Sequence, residues 1–131
     1  MKKIALIILM LAMSPAATLR ADYTTPSESI TLCGEASWYS ETDPGVLETT
    51  ANMEAFNEKE LTCAIWDMPF GTLLKVTNLD NGKSVVVRVN DRGPAKRLVK
   101  MGRVIDLTKR AFSEIAPLKE GLIRVSVVIV E

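Results

Sequence analysis

The sequence contains no histidine among its 131 residues. This absence excludes Ser-His-Asp and Cys-His catalysis, and it excludes every metal site that needs an imidazole ligand. Any hydrolytic or eliminative chemistry must therefore depend on carboxylates, with lysine, tyrosine or serine in support. The only two cysteines do not form a metal-binding or redox motif at their spacing, so we expect no metal and no cofactor.

Long apolar runs are also scarce, and the most prominent one stands near the N-terminus. Residues 4–13 form an apolar run after Lys2 and Lys3, and several small residues follow up to Ala21. Such a run is too short to span a bilayer. The pattern predicts a secretory signal peptide over residues 1–21, and cleavage after Ala16 is also compatible with it.

Secretion would place the protein in the periplasm or outside the cell, with no stable membrane anchor after cleavage. No cysteine follows the apolar run closely enough to form a lipobox. In an oxidising compartment, Cys33 and Cys63 can form a disulfide. Closing that loop would stabilise the fold by roughly 3–4 kcal/mol in the chain-entropy description. Two free core thiols are the alternative.

Neither sign of charge dominates the chain, which has 16 basic and 16 acidic residues. Removing residues 1–21 takes away Lys2, Lys3 and Arg20, which leaves 13 basic against 16 acidic residues and a net charge of −3. Because nucleic-acid binding depends on neutralising phosphates, a mildly acidic protein is a poor candidate for it. We therefore expect no nucleic-acid partner.

The remaining residues show the alternation that is typical of short strands. Strands are predicted over 34–40, 72–77, 84–90, 102–107 and 122–130, with a further short strand or helical turn at 61–64. A short helix or turn is predicted over 51–60, and Thr108 is expected to cap a helix over 109–115. This pattern predicts a mainly β fold, a small barrel with one or two short helices. Residues 34–131 would form one domain after a loose tail over residues 22–33.

The strand over residues 84–90 leads directly into the most informative polar residues. It would deliver the carboxylate of Asp91 to the rim of the sheet, and Gly93-Pro94 would turn the chain away. Catalytic groups often lie on such loops at the end of a rigid strand. The alternative is that Asp91 only caps the turn through a hydrogen bond to backbone N–H groups.

Seven blocks of sequence, in order and with ordinary spacings, resemble the rare lipoprotein A (RlpA) family. These blocks are Gly34–Tyr39, Thr50–Asn57, Leu61–Thr62, Met68–Thr72, Val76–Ser84, Arg88–Pro94 and Arg103–Leu107. The resemblance implies a six-stranded double-psi β-barrel, the fold that expansins share. It also implies peptidoglycan as substrate, since characterised members are lytic transglycosylases that leave 1,6-anhydro ends on the glycan.

The same resemblance implies a set of catalytic residues. The family acid in the block Thr-Ala-Asn-x-Glu matches Glu54, and the aspartate of Asp-Arg-Gly-Pro matches Asp91. The family histidine after Leu-Thr falls on Ile65, which departs from the pattern. To act as an acid, Asp91 would need a raised pKa, through burial or through a neighbouring carboxylate such as Glu54.

Other polar and aromatic residues are candidates for contact with the glycan. Asn90, Arg92, Trp66 and Tyr39 are the predicted substrate-binding residues. Alternatively, Asn90 only caps the end of its strand, and Trp66 is a packing residue. Arg92 is expected to point outward or to pair with Asp106. The role predicted for Asp106 is structural, because it lies between apolar residues just before the helix cap.

Basic residues cluster in the second half of the chain. They could meet anionic groups of the cell wall or form a solvated face. They are Lys96, Arg97, Lys100, Arg103, Lys109 and Arg110.

A chain without histidine can still perform lytic transglycosylation. One acid protonates the glycosidic oxygen, and its conjugate base then takes the proton of the sugar's own C6 hydroxyl. Our first hypothesis is therefore a secreted, monomeric endolytic enzyme that cleaves peptidoglycan strands between N-acetylmuramic acid and N-acetylglucosamine. The alternative, favoured by Ile65, is a non-catalytic glycan-binding module that loosens the wall in the manner of expansins.

Overall fold

The computed structural model describes residues 31–130, so the predicted signal peptide and most of the predicted tail lie outside the described residues. Its strands are β1 (Thr31–Tyr39), β2 (Thr62–Ala64), β3 (Leu73–Asn78), β4 (Ser84–Asp91), β5 (Arg103–Thr108) and β6 (Leu122–Ile129). Helices α1 (Lys96–Val99) and α2 (Lys109–Ile115) lie between them, and a 3-10 turn covers Leu118–Glu120.

The six strands close into a barrel in the order β1-β5-β2-β4-β3-β6. The pairs β1–β5 and β2–β4 are parallel, and the other four neighbouring pairs are antiparallel. The predicted six-stranded β-barrel with two short helices is therefore confirmed. The parallel pair β2–β4 and the antiparallel pair β2–β5 place the end of β4 and the middle of β5 on either side of the short strand β2.

The barrel interior is filled by the alternating apolar residues of the long strands. On β4, Val85, Val87 and Val89 are buried, whereas Ser84 and Val86, which alternate with them, are exposed. The period of two places one set of side chains in the core, as expected for a strand with one buried face. Fully buried side chains on the other strands include Leu74, Val76, Ile105, Leu107, Val125 and Val127.

Helix α2 covers one end of this core with the face predicted from its sequence. Ala111, Phe112 and Ile115 are fully buried, and the hydroxyl of Thr108 accepts a hydrogen bond from the backbone N–H of Ala111 at 3.3 Å. The side chain of Thr108 thus satisfies one of the free amides of the first turn. The helix bounds and its cap agree with the prediction.

The disulfide that the sequence allowed does not form. Cys33 is an exposed free thiol on β1, and Cys63 is a buried free thiol on β2. Strand β5 lies between these strands, so two strand spacings put them about 10 Å apart. Cys63 is also level with Trp38 rather than with Cys33, because both Cys63 and Trp38 pair with Leu107. A disulfide needs Cα atoms within about 7 Å.

Two further features differ from the prediction. Strand β1 begins at Thr31, so residues 31–33 belong to the barrel and not to the tail. Helix α1 was not predicted. Residues 51–60 contain turns and an isolated bridge, so of the helix or turn predicted there, the turn is the one that forms. Among the helices of residues 31–130, none is long and apolar enough to cross a membrane.

Candidate functional site

A small hairpin is docked against the end of β4. Thr49 and Ala55 pair across it, and the backbone N–H of Thr50 donates to the carbonyl of Glu54 at 2.8 Å. The backbone N–H of Asn52 donates to the carbonyl of Asn90 at 3.2 Å. The hairpin, which we call the 49–55 hairpin, is therefore held to the barrel by the backbone of the strand that carries Asp91.

A groove of about 400 Å³ opens between this hairpin and the barrel rim. Its polar floor is a row of residues on adjacent strands, because Ala64 pairs with Asp91 on one side and with Asp106 on the other. Asp106 in turn pairs with Ser37 on β1. The two carboxylates therefore flank the small side chain of Ala64 at one level of the barrel. The walls come from Tyr39, from residues 45–47 and 49–51, and from Arg92, Gly93 and Ala95.

Asp91 is held firmly by backbone groups. Its Oδ1 atom accepts hydrogen bonds from the N–H of Ala51 at 3.0 Å and from the N–H of Arg92 at 2.9 Å. The capping role that the sequence offered as an alternative is therefore present. It does not exclude function, because Asp91 also lines the groove.

Asp106 has the buried environment that raises the pKa of a carboxyl. Burial raises its pKa, and the charge of Asp91 raises it further. The hydroxyl of Ser37 donates to its Oδ1 atom, and Ser37 and Arg103 both oppose the rise. A Cβ atom at Gly93 would lie 3.2 Å from Oδ2 of Asp106, so glycine lets the chain after Asp91 pass close to this carboxyl. Asp106 does not pair with Arg92.

Tyr39 supplies a neutral hydroxyl to the same groove. Its ring stacks on Phe56 with centroids 4.8 Å apart and planes inclined by 19°. Burial, followed by the charge of Asp91, raises the pKa of Tyr39. Its hydroxyl is buried beside the carboxylate of Asp91. It is therefore a proton-bearing donor beside the carboxylates.

Glu54 does not have the environment of an acid catalyst. Its two carboxylate oxygens accept hydrogen bonds from Arg88 at 2.7 and 3.0 Å, and Nδ2 of Asn90 donates to Oε2 at 3.3 Å. The bonds from Arg88, then those involving Asn52 and Asn90, lower the pKa of Glu54 to about 2. Glu54 is thus ionised at neutral pH and ties the 49–55 hairpin to β4. Asn90 is buried and supports this pair instead of facing the groove.

The other predicted glycan contacts lie to one side of the carboxylates. Arg92 donates to the carbonyl of Ile65 at 3.0 Å and stands 3.9 Å from the centroid of the Phe70 ring. Nε1 of Trp66 donates to the carbonyl of Pro94 at 2.7 Å. Arg92 lines the groove, whereas Trp66 lies beyond it. Ile65, at the position of the family histidine, is 2% exposed and packs in the core.

The turn of the 49–55 hairpin contains a strained residue. The N–H of Met53 donates to the carbonyl of Thr50 at 3.0 Å, and Met53 has a φ of 73°. A type I turn followed by a left-handed residue usually carries glycine at that place. The side chain of Met53 is 82% exposed, so it gains little from burial.

Replacing Met53 with glycine is therefore expected to stabilise the fold by roughly 0.5–1 kcal/mol, because relief of the left-handed strain exceeds the added chain entropy. Thermal unfolding should show a melting temperature higher by about 4 °C. Asp67→Gly, at a φ of 63°, is the matched control with a smaller gain, since aspartate tolerates this conformation. A lower melting temperature for Met53→Gly would contradict the strain argument.

The closed barrel, its two parallel pairs and the groove across β4, β2 and β5 define a double-psi β-barrel of the lytic transglycolase type. The profile of that family, described as lytic transglycolase, matches residues 31–127, and the chain belongs to this family. The RlpA resemblance drawn from the seven sequence blocks is confirmed by relatives that carry that name.

Two such relatives illustrate the similarity. The chain is 49% identical over 98 residues to the probable endolytic peptidoglycan transglycosylase RlpA of Synechocystis, covering 75% of this chain and 29% of that protein. It is 46% identical over 88 residues to the endolytic peptidoglycan transglycosylase RlpA of Campylobacter jejuni, covering 67% of this chain and 30% of that protein. The chain thus spans less than a third of the length of these relatives.

Solved structures share the fold. The apo expansin of Clavibacter michiganensis superposes with a TM-score of 0.60 at 25% identity, covering 78% of this chain and 51% of that one. The Streptomyces papain inhibitor gives a TM-score of 0.60 at 22% identity, covering 78% of this chain and 96% of that one. These likenesses agree with the predicted fold class.

Proposed function

We propose that the protein is an endolytic lytic transglycosylase that cleaves the glycan strand of peptidoglycan and leaves 1,6-anhydro-muramic acid ends. The observation that supports this proposal is the row of Asp91, Ala64 and Asp106 across three neighbouring strands. Burial raises the pKa of the Asp106 carboxyl in this row. A neutral acid next to a second carboxyl is the pair of environments that acid-assisted glycosidic cleavage needs. Relatives named as peptidoglycan transglycosylases support the same substrate.

We assign the role of general acid to Asp106, whereas the sequence predicted Asp91 for it. Asp106, whose pKa is raised by burial, donates its proton to the glycosidic oxygen, and the bond between that oxygen and C1 breaks. The carboxylate of Asp91 stabilises the positive charge that develops at C1. The C6 hydroxyl oxygen of the same sugar attacks C1, and ionised Asp106 takes the hydroxyl proton. Asp106 thus regains its proton, and no water is consumed.

The surrounding residues support these two carboxyls. The hydroxyl of Tyr39 is buried beside Asp91, so its proton supports that carboxylate from beneath the groove. The ion pair between Glu54 and Arg88 holds the 49–55 hairpin, whose Ala51 N–H fixes the carboxylate of Asp91. Glu54 is therefore a positioning residue in this proposal, and Asp91 keeps the catalytic role that its motif implied.

The cellular setting follows from the N-terminal sequence. The signal peptide predicted over residues 1–21 would deliver the barrel to the periplasm or the exterior, where peptidoglycan lies. The protein would act there as a monomer on glycan strands.

The test is incubation of the purified, signal-cleaved protein with peptidoglycan sacculi, followed by mass spectrometry of the soluble products. We expect fragments ending in 1,6-anhydro-muramic acid, which heat-inactivated protein does not release. Reducing muramic acid ends would indicate hydrolysis and would contradict the elimination. Binding to sacculi without any released product would favour the glycan-binding alternative, which the apolar Ile65 at the family histidine position supports.

A further inference from the structure

The groove beside the two carboxyls has an aliphatic wall. Val46 and Leu47 line it together with the small side chains of Ala51, Ala64 and Ala95. Leu47 is 75% exposed, so packing within the barrel does not explain a large apolar residue at this position. An apolar surface that stays open beside the polar groups of a groove is available to a ligand.

A structured turn holds Leu47 in this exposed position. The backbone N–H of Val46 donates to the carbonyl of Asp43 at 3.2 Å, and the carbonyl of Glu48 accepts the N–H of Phe56 at 2.8 Å. The segment is therefore fastened on both sides of Leu47. Val46 and Leu47 also border a second cavity of about 280 Å³, so they form a ridge that the groove and this cavity share.

Among the residues that the structure describes, the groove lining offers no free aromatic face to a sugar ring. Tyr39 is the aromatic residue of this lining, and its ring already stacks on Phe56. Trp66 lies outside the lining, and its ring faces the ammonium group of Lys96 at 5.2 Å. The flat face of a sugar ring packs best on a flat aromatic ring, whereas a branched aliphatic side chain packs well around a methyl group. The ridge is therefore suited to a small apolar substituent of a sugar.

We infer that Leu47, together with Val46, binds the methyl group of a sugar's acetamido substituent, so that the protein prefers glycan strands that carry this methyl. The inference rests on the proposed function, because it takes the glycan of peptidoglycan as the ligand. Both sugars of that glycan carry an acetamido group on C2, whose methyl is an apolar group attached to a polar ring. Leu47 thus determines specificity and takes no part in proton transfer.

The test must remove the methyl group without changing the charge of the ligand. Loss of the whole acetyl group leaves an amine, and its positive charge would be attracted by Asp91 in the groove. A formyl group keeps the neutral amide and lacks only the methyl. Strands with N-formyl groups are therefore the matched ligand for strands with N-acetyl groups.

The experiment is isothermal titration calorimetry with soluble glycan strands. An amidase first removes the peptide stems, because amines on the stems would also be acylated. The strands are then de-N-acetylated and acylated again with either acetyl or formyl groups. The full signal-cleaved chain carries Asp106→Asn, so that cleavage does not consume the ligand. We expect the acetylated strands to bind about fourfold more tightly, which is the effect of burying one methyl group.

Leu47→Ser and Leu79→Ser form a matched pair of variants in the same Asp106→Asn chain. Leu47→Ser is expected to bring the two affinities close to equality, because serine offers no aliphatic surface to the methyl group. Leu79 is 49% exposed and lies outside the groove lining, so Leu79→Ser should keep the preference. Thermal unfolding of both variants separates lost recognition from lost folding.

Equal binding of acetylated and formylated strands would overturn the inference, as would an unchanged preference in Leu47→Ser. A preference lost equally in Leu79→Ser would also overturn it, since the effect would then not belong to the ridge. Binding is measured apart from cleavage. A preference that depends on Leu47, in a protein that releases no anhydro-muramic acid products, would uphold this inference while the proposed activity fails. Released products with equal binding would do the reverse, and no binding to either strand would overturn both.

Discussion

Replacing Asp106 with asparagine is expected to lower the rate of glycan cleavage by about 100-fold or more while raising the melting temperature at pH 7. The loss follows from the removal of the general acid, which typically contributes a factor of 10² to 10⁴. An amide at this position can still accept the hydrogen bond from Ser37. Cleavage is measured as released anhydro-muropeptides and stability by thermal unfolding.

The gain in stability follows from the direction of the pKa shift. The pKa of Asp106 is raised in the folded state, so the folded protein binds this proton more tightly than the unfolded chain does. Ionisation of Asp106 therefore costs stability as the pH rises through the folded pKa. The asparagine variant avoids that cost at pH 7, and its advantage should vanish below the unfolded pKa of about 3.9.

The pH dependence of the wild-type rate gives an independent check on the acid. Cleavage should fall as the pH rises through the raised pKa of Asp106, because the proton to be donated is then lost.

Asp80→Asn is the matched control for Asp106→Asn. Asp80 is an exposed aspartate paired with Arg124 at 2.7 Å and does not line the groove. Normal cleavage by Asp106→Asn would show that Asp106 has the structural role its sequence context first indicated.

The strands and helix α2 could be predicted from the sequence because each depends on a local pattern. The alternation of Val85, Val87 and Val89 determines which face of β4 is buried, and Thr108 with Pro117 marks where α2 begins and ends. Residues 51–60 were predicted as a short helix or turn, and the sequence left the choice open. The Asn52 side chain accepts the N–H of Glu54 at 3.1 Å, which closes a turn that competes with a helix.

The partners within the site could not be predicted, since they come from strands distant in sequence. Asp91 and Asp106 line one groove because both pair with Ala64 on β2, a register that no local sequence pattern indicates. Glu54 and Arg88 are 34 positions apart, and their ion pair reverses the role expected for Glu54. The sequence left open whether Cys33 and Cys63 form a disulfide, and the structure has two free thiols, because their spacing along the chain says nothing about the strand between them.

Asp91→Asn and Asp91→Ala are expected to lose activity alike and to differ in stability. Both remove the negative charge that stabilises the developing positive charge at C1, so cleavage should fall by about 100-fold in each. Asparagine keeps an oxygen that can accept from the N–H groups of Ala51 and Arg92, whereas alanine leaves both without this acceptor. The alanine variant should therefore lose about 1–2 kcal/mol of unfolding free energy, and the asparagine variant much less.

Hydrogen exchange at the Ala51 amide separates the two effects of this side chain. Faster exchange at Ala51 in Asp91→Ala, with nearly unchanged exchange in Asp91→Asn, would show that the carboxylate holds the 49–55 hairpin through that bond. If Asp91→Asn cleaves normally and only Asp91→Ala is inactive, Asp91 acts by positioning the hairpin, and its charge is not needed. The stabilisation of the positive charge at C1 would then have to come from Asp106 alone, because Glu54 is already paired with Arg88.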